Sequence, residues 1–143
     1  MKANELRIGN LVTINNEKHY PKMKGINLIV CGIEKLRLDE SAKILLNYPK
    51  EQENIVIPAF SQFEEFVNPI ELTGQFMTFF GLKETFMGTY SIWDFEDFGR
   101  SFDVTQDSNG FTFQIHGDFI EIKYVHELQN IHFIMTGEEL AMS

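Results

Sequence analysis

A chain of 143 residues is long enough for one compact domain or two small ones, and folding at this size buries roughly 68–70% of the unfolded surface. Hydrophobic residues make up 43% of the sequence and include 14 phenylalanines, which excludes disorder over most of the chain. The net charge of −9 is unevenly divided: residues 1–50 carry nine Lys or Arg and five Asp or Glu (+4), whereas 51–143 carry three and sixteen (−13).

The first part of the chain has the pattern of short strands separated by turns. Apolar runs at 6–14, 26–38 and 43–48 are divided by Asn, Gly, Asp and Pro, and "IVIPAF" adds a further candidate strand. Gly32 inside the second run indicates a bulge or a bend in a long strand. The pattern predicts a curled antiparallel sheet over 1–57, resembling a small SH3-like barrel.

A connector and a short helix are expected in the middle of the sequence. Residues 58–72 read as the connector, in which the Ser-x-x-Glu of "SQFE" indicates a short helix over 62–67. A second helix is predicted between an N-cap at Thr73 and a left-handed residue at Gly81. Helical periodicity places four large residues on its buried side: Leu72, Phe76, Phe79 and Phe80.

Residues 73–143 are predicted to form an α+β subdomain. Alternation in "TYSIWDFEDF" indicates a strand, and Asn109-Gly110 indicates the turn of a hairpin followed by a last strand in "DFIEIKY". A C-terminal helix is expected over 123–135, ended by Thr136-Gly137. Its apolar stripe consists of Tyr124, Val125, Leu128, Ile131 and Met135.

Two histidines on this helix raise the question of a metal site. "HELQN" resembles the zinc motif H-E-x-x-H, but the position of the second histidine is taken by Asn130. His126 and His132 are six residues apart, which places them roughly 120° apart around a helix. A structural role is therefore expected, with no metal, cofactor or catalytic residue.

Two acidic segments have weaker functional interpretations. Asp107, Asn109 and Gly110 match three positions of a calcium loop, but Thr105 and His116 stand where carboxylates are required, so a hairpin turn is expected.

"WDFEDF" places Asp94, Glu96 and Asp97 among aromatic residues. This composition also occurs in glycan-binding clefts and glycosidases. Strand alternation alone produces the same pattern, so a glycan-directed enzyme is the least favoured reading.

The loop "KHYPKMKG" is the candidate nucleic-acid contact. It brings Lys18, Tyr20, Lys22 and Lys24 together, and basic residues beside an aromatic ring bind phosphates and stack bases. Any such binding is expected to be weak and confined to residues 1–50. An ordinary solvated loop is the alternative.

The remaining sequence features concern the single cysteine and the cellular location of the protein. Cys31 lies in the apolar run "LIVCGI", where a small buried side chain is expected. The N-terminus lacks an apolar stretch of signal-peptide length, and no segment approaches the ~20 apolar residues of a membrane span. A cytoplasmic location is expected.

Three blocks carry a family resemblance: "LRIGNLV", "PIELTGQFMTFFGL" and "IKYVHELQNIHFIMTGEEL". Together they resemble an uncharacterised family of small proteins from Gram-negative gut anaerobes and their phages or prophages. Gly74-Gln75 departs from the acidic helix-formers of that family. The resemblance implies a mobile-element protein and brings no site residue with it.

These observations favour a non-catalytic interaction or assembly protein, whose partner is another protein or a second copy. The alternative is a nucleic-acid-associated accessory protein that uses the 18–24 loop. The division of charge predicts that copies attract each other head to tail, because faces of opposite sign meet in such a contact.

Overall fold

The computed structural model describes residues 1–35, 37, 41–49, 60–95 and 102–140. The chain divides into two compact units, Met1–Ile70 and Glu71–Ser143. Each unit contains a five-stranded sheet, and the pairings within both sheets are antiparallel. With the two α-helices of the second unit, the predicted α+β class is confirmed.

The first unit is built on one antiparallel sheet in the order β4-β3-β2-β1-β5. Its strands are β1 (Leu11–Ile14), β2 (Leu28–Glu34), β3 (Lys43–Asn47), β4 (Phe60–Phe63) and β5 (Val67–Asn68). The antiparallel N-terminal sheet is thus as predicted, whereas its closure into a small barrel stays a prediction.

Alternate residues of these strands form the core of the first unit. In β3 the exposed Lys43 and Asn47 flank buried Ile44 and Leu46, the period of two expected of a sheet with one covered face. The buried core comprises Leu6, Val12, Ile14, Leu28, Val30, Ala42, Ile44, Leu46 and Val67.

The predicted bulge in the second strand is confirmed. The register between β2 and β3 shifts between Val30 and Gly32, which leaves Cys31 as the extra residue. A Cβ on Gly32 would lie 2.7 Å from Leu45 Cδ1, so a larger residue here would force the Leu45 side chain to shift. The expectation that Cys31 is buried is wrong: its side chain is exposed, because the bulge disrupts the alternation of the strand.

The middle of the chain differs from the sequence-based expectation. The predicted helix over 62–67 is wrong, because Gln62 and Phe63 belong to β4, which pairs with β3. Only Glu64–Phe66 forms a 3₁₀ turn. Strands β4 and β5 therefore lie within the predicted 58–72 connector, and residues 55–59 of "IVIPAF" lie outside the described residues.

The sheet of the second unit has the order β10-β9-β8-β7-β6. Its strands are β6 (Lys83–Phe86), β7 (Ser91–Asp94), β8 (Val104–Asp107), β9 (Gly110–Ile115) and β10 (Asp118–Ile122). The hairpin predicted at Asn109-Gly110 joins β8 to β9. Strand β6 was not predicted.

The first helix, α1 (Gly74–Phe79), begins after Thr73 and is followed by Gly81 at φ 85°, as expected. Its buried side is only partly as predicted. Leu72 and Phe80 are buried, but Phe79 is 43% exposed and Met77 is fully buried. A helix of six residues is too short for its sequence to define one apolar face.

The second helix, α2 (Val125–Thr136), lies close to its predicted limits. Glu127 Oε2 accepts hydrogen bonds from the backbone N–H groups of Lys123 (2.8 Å) and Tyr124 (3.0 Å), which satisfies donors at the N-terminus. Gly137 at φ 76° ends the helix. Neither helix in the described part of the chain is long and apolar enough to cross a bilayer.

Candidate functional site

The histidines of α2 are buried components of the packing in the second unit. The His132 ring packs against Phe102 and Phe95, with centroids 5.2 and 5.7 Å away. Its Nδ1 lies 3.0 Å from the backbone carbonyl oxygen of Glu138, and a carbonyl only accepts, so Nδ1 carries the proton. His126 is 3% exposed and stacks on Tyr124.

The buried face of α2 is therefore more polar than predicted. It comprises Val125, His126, Leu128, Gln129 and His132. Met135, which the apolar stripe included, is 44% exposed. Among the described residues, no group of three or more His, Cys, Asp or Glu side chains is arranged to hold a metal ion.

The acidic segments take ordinary structural positions where they are described. Asp107 Oδ1 accepts a hydrogen bond from the backbone N–H of Asn109 at 2.7 Å, which stabilises the hairpin turn. Asp94 ends β7 and is half-buried. Glu96 and Asp97 lie outside the described residues, so no carboxylate pair is placed at this segment.

The 18–24 loop presents its candidate residues in different ways. Lys18 and Lys22 are exposed. Lys24 Nζ is 2.6 Å from Glu17 Oε1. The hydrogen bond and charge of Lys24 lower the pKa of Glu17, and Glu17 raises the pKa of Lys24 in return. Lys24 is thus already paired with an anion, and Tyr20 is 40% exposed.

Tyr20 lines a cleft in the first unit, and we call it the β4 cleft. Its volume is about 480 Å³, within the usual range for small-ligand sites. Its lining joins the 16–20 segment to strands β3 and β4 and to the following 3₁₀ turn. The lining residues are Asn16, His19, Tyr20, Lys43, Ser61, Gln62, Phe63 and Phe66.

Two contacts define the chemistry of the β4 cleft. Asn16 Nδ2 donates a hydrogen bond to Gln62 Oε1 at 3.1 Å. Lys43 and Phe63 are cross-strand partners, and Lys43 Nζ lies 5.7 Å from the centroid of the Phe63 ring. An aromatic ring, a cation and amide groups therefore border one space.

The residues that β3 and β4 contribute were not found from the sequence. Lys43 and Phe63 are twenty positions apart, and their meeting depends on the β3–β4 register. Alternation in "AKILLNY" does put Lys43 on the outer face. A prediction of β4 from Phe60 would have been needed to place Phe63 beside it.

A second feature is an exposed apolar surface on the second unit. Phe86, Met87 and Tyr90, which we call the β6 hairpin patch, are 72%, 50% and 39% exposed. The Met87 N–H donates to the Tyr90 carbonyl oxygen at 2.8 Å, which closes the turn between β6 and β7. At the opposite edge of the sheet, Phe119 on β10 is 71% exposed.

Comparison with known proteins adds no further residue to these two surfaces. No family model, curated protein sequence or solved structure matches the chain. Function is therefore inferred from the β4 cleft and the β6 hairpin patch.

Proposed function

We propose that this protein is a non-catalytic interaction or assembly protein, of phage or mobile-element origin as its family resemblance implies. The observation that carries the proposal is the β6 hairpin patch. Its three large apolar side chains are each exposed, one at the end of an edge strand and two in the turn that follows it. Aromatic residues and Met are enriched at the centre of protein interfaces, and contiguous exposed apolar surface marks such sites.

The edge position of β6 adds a strand whose one neighbour among the described strands is β7. All four residues of β6 are exposed. The outer N–H and C=O groups of an edge strand are free to pair with another strand. Backbone pairing and apolar contact would therefore occur at the same place.

A second copy of the chain is the partner we favour. In an antiparallel two-fold pairing centred on Thr85, each Thr85 lies opposite its equivalent, and Glu84 lies opposite Phe86. No like-charged side chains then face each other directly, and Thr–Thr pairs are favourable across strands. The β6 edge is thus compatible with itself, as a two-fold interface requires.

Counting charges by structural unit, and not by the ranges 1–50 and 51–143, changes the prediction that copies attract each other head to tail. The first unit carries nine Lys or Arg and nine Asp or Glu, a net charge of zero, and the second carries three and twelve, a net charge of −9. Attraction between a positive and a negative unit therefore has little support. Contact between two second units is opposed by repulsion, so salt should strengthen it.

Sedimentation at low and high salt tests this proposal. We expect a dimer that tightens as the Debye length falls from ~30 Å at 0.01 M to ~3 Å at 1 M salt. Phe86→Ser should abolish the dimer. Two matched controls, Phe119→Ser on β10 and Ile134→Ser on α2, remove equally exposed apolar side chains and should leave it intact.

Other outcomes would overturn the proposal in different ways. A protein that stays monomeric at high concentration and high salt has no such interface. Loss of association in both Phe86→Ser and Phe119→Ser would indicate head-to-tail contact between β6 and β10. Association that weakens with salt would instead support head-to-tail contact between surfaces of opposite charge.

A second candidate function is that of a nucleic-acid-associated accessory protein. It is favoured by the position of Tyr20 and His19, which line the β4 cleft together with Lys43. With a net charge of zero, the first unit can neutralise few phosphates, so binding would be weak and its salt dependence shallow.

A further inference from the structure

The β4 cleft contains the groups that recognise a nucleobase. We propose that it binds one unstacked oxo-pyrimidine base, thymine or uracil, of a single-stranded nucleic acid, with the adjoining phosphate at Lys43. This inference rests on the second candidate function and is independent of the assembly surface.

The stacking surface is provided by exposed rings. Phe63 and Tyr20 line the cleft and are 45% and 40% exposed. A base that leaves its stack regains apolar contact on such rings, and stacking tolerates any base because every base has a π-face. These rings therefore supply affinity without base preference.

Lys43 supplies the positive charge. Its Nζ lies near the Phe63 ring, and it makes no ion pair with any described residue. None of the described residues that line the cleft carries a carboxylate. A phosphate next to a base stacked on Phe63 would thus meet a cation already in place, whereas Lys24 is bound to Glu17.

Base preference follows from the orientation of the two amides. The backbone N–H of His19 donates to the Asn16 side chain at 3.4 Å, and a carboxamide accepts only through its oxygen, so Oδ1 of Asn16 faces His19. Asn16 Nδ2 must then face Gln62, which makes Oε1 of Gln62 the acceptor at 3.1 Å.

This arrangement leaves the Nε2 donor of Gln62 for a ligand. Gln62 is 6% exposed, yet lines the cleft, and its Nε2 bonds to no described residue. A donor at the cleft with no acceptor among the described residues is available to a ligand that presents one. Thymine and uracil present two carbonyl oxygens, whereas the exocyclic amino group of adenine is a donor.

Fluorescence anisotropy with labelled dT10, U10 and dA10 at low salt tests the proposal. We expect dT10 and U10 to bind more tightly than dA10. Phe63→Ala should weaken dT10 binding by about 5- to 150-fold, the effect of losing one stacked base. Lys43→Gln should make the log–log salt slope shallower by about 0.7, the value for one phosphate contact on a single strand.

Lys35→Gln is the matched control, since Lys35 is an exposed lysine of the first unit outside both the cleft and the 18–24 loop. It should change neither the dT10 affinity nor the salt slope. Thermal melting of each variant verifies the fold, and Tyr20→Ala serves as a second cleft variant if Phe63→Ala is unstable.

The possible failures are distinguishable. If Lys18→Gln with Lys22→Gln weakens dT10 binding and Phe63→Ala does not, nucleic-acid binding stands but the cleft proposal is overturned. Absence of dT10 binding at low salt overturns both. Equal affinity for dT10 and dA10 overturns the preference for thymine or uracil. Equal affinity for dTMP and dT10 overturns the single strand as the ligand and indicates a free nucleotide instead.

Discussion

Replacing Leu128 with alanine tests the packing of α2 on its sheet. Leu128 is fully buried in this helix. Truncating a buried leucine removes the transfer free energy of the lost atoms and leaves a cavity, at a cost of about 2–5 kcal/mol. Leucine makes no side-chain hydrogen bond, so no polar partner is lost. We therefore expect the free energy of unfolding to fall by this cost alone.

Ile134→Ala is the matched control on the same helix. Ile134 is 77% exposed, and the new residue is again alanine, so helix propensity enters both variants. Substitutions at such exposed positions usually change stability by about 0.5 kcal/mol or less. The difference between the two variants therefore reports burial.

Trp93 provides the assay, because it is the one tryptophan of the chain and lies in β7 of the second unit. Its ring is 6% exposed and its Nε1 donates to Gln106 Oε1 at 2.8 Å. Urea unfolding followed by its fluorescence should show a lower midpoint with an unchanged slope. In thermal melting, each 1 kcal/mol should lower Tm by about 4–8 °C for a unit of this size.

Two results would refute this packing of α2. One is a loss below about 1 kcal/mol in Leu128→Ala, which the cost of a large cavity does not allow. The other is an equal loss in both variants, which would mean that Ile134 is as buried as Leu128.

Three further predictions concern single contacts. His132→Ala should cost about 1–3 kcal/mol in urea unfolding, because the Glu138 hydrogen bond and ring contacts are lost; stoichiometric zinc that disappears with it would contradict a structural role. Gly32→Ala should cost about 1–3 kcal/mol by crowding Leu45, and a double-mutant cycle with Leu45→Ala should reduce that cost, so additive losses would argue against the contact. The backbone N–H of Ala3 lowers the pKa of Glu64, so the stability that this carboxylate adds is present above its ordinary pKa of 4.5 and lost as the pH falls through the lower folded value. Glu64→Gln should flatten this acid dependence of the urea midpoint, and identical pH profiles would contradict it.

Local rules located many elements correctly from the sequence. Asn109-Gly110 marks a hairpin and Gly137 ends α2, because Gly110 and Gly137 have positive φ, a backbone conformation that glycine favours. Such requirements act within a few residues, and the sequence therefore shows them directly.

Local rules do not predict which side chains of the helices are buried. The apolar stripe predicted on α2 includes Met135 and leaves out His132, because helical periodicity considers only the hydrophobicity of each residue. His132 is buried because Glu138 supplies a carbonyl acceptor, and Gln129 Nε2 similarly reaches the carbonyl of Leu140 at 3.4 Å. Polar residues become core residues when a later segment satisfies them.

The β4 cleft required long-range information. The basic composition of its loop indicates Tyr20, whereas the local pattern predicts a helix at Gln62 and Phe63, which also line the cleft. Their strand conformation comes from pairing with β3, which outweighs the local Ser-x-x-Glu signal. A cleft assembled by strand register has no local signature.

The bulge that exposes Cys31 provides a labelling position in the natural sequence. A maleimide dye at this thiol would sit on β2 of the first unit, whereas the β6 edge belongs to the second, and no substitution is needed. Energy transfer between donor- and acceptor-labelled copies would then report association directly. The same exposure allows air oxidation to link two copies through a disulfide, so a reducing agent must accompany unlabelled samples, or covalent dimers would be mistaken for an interface.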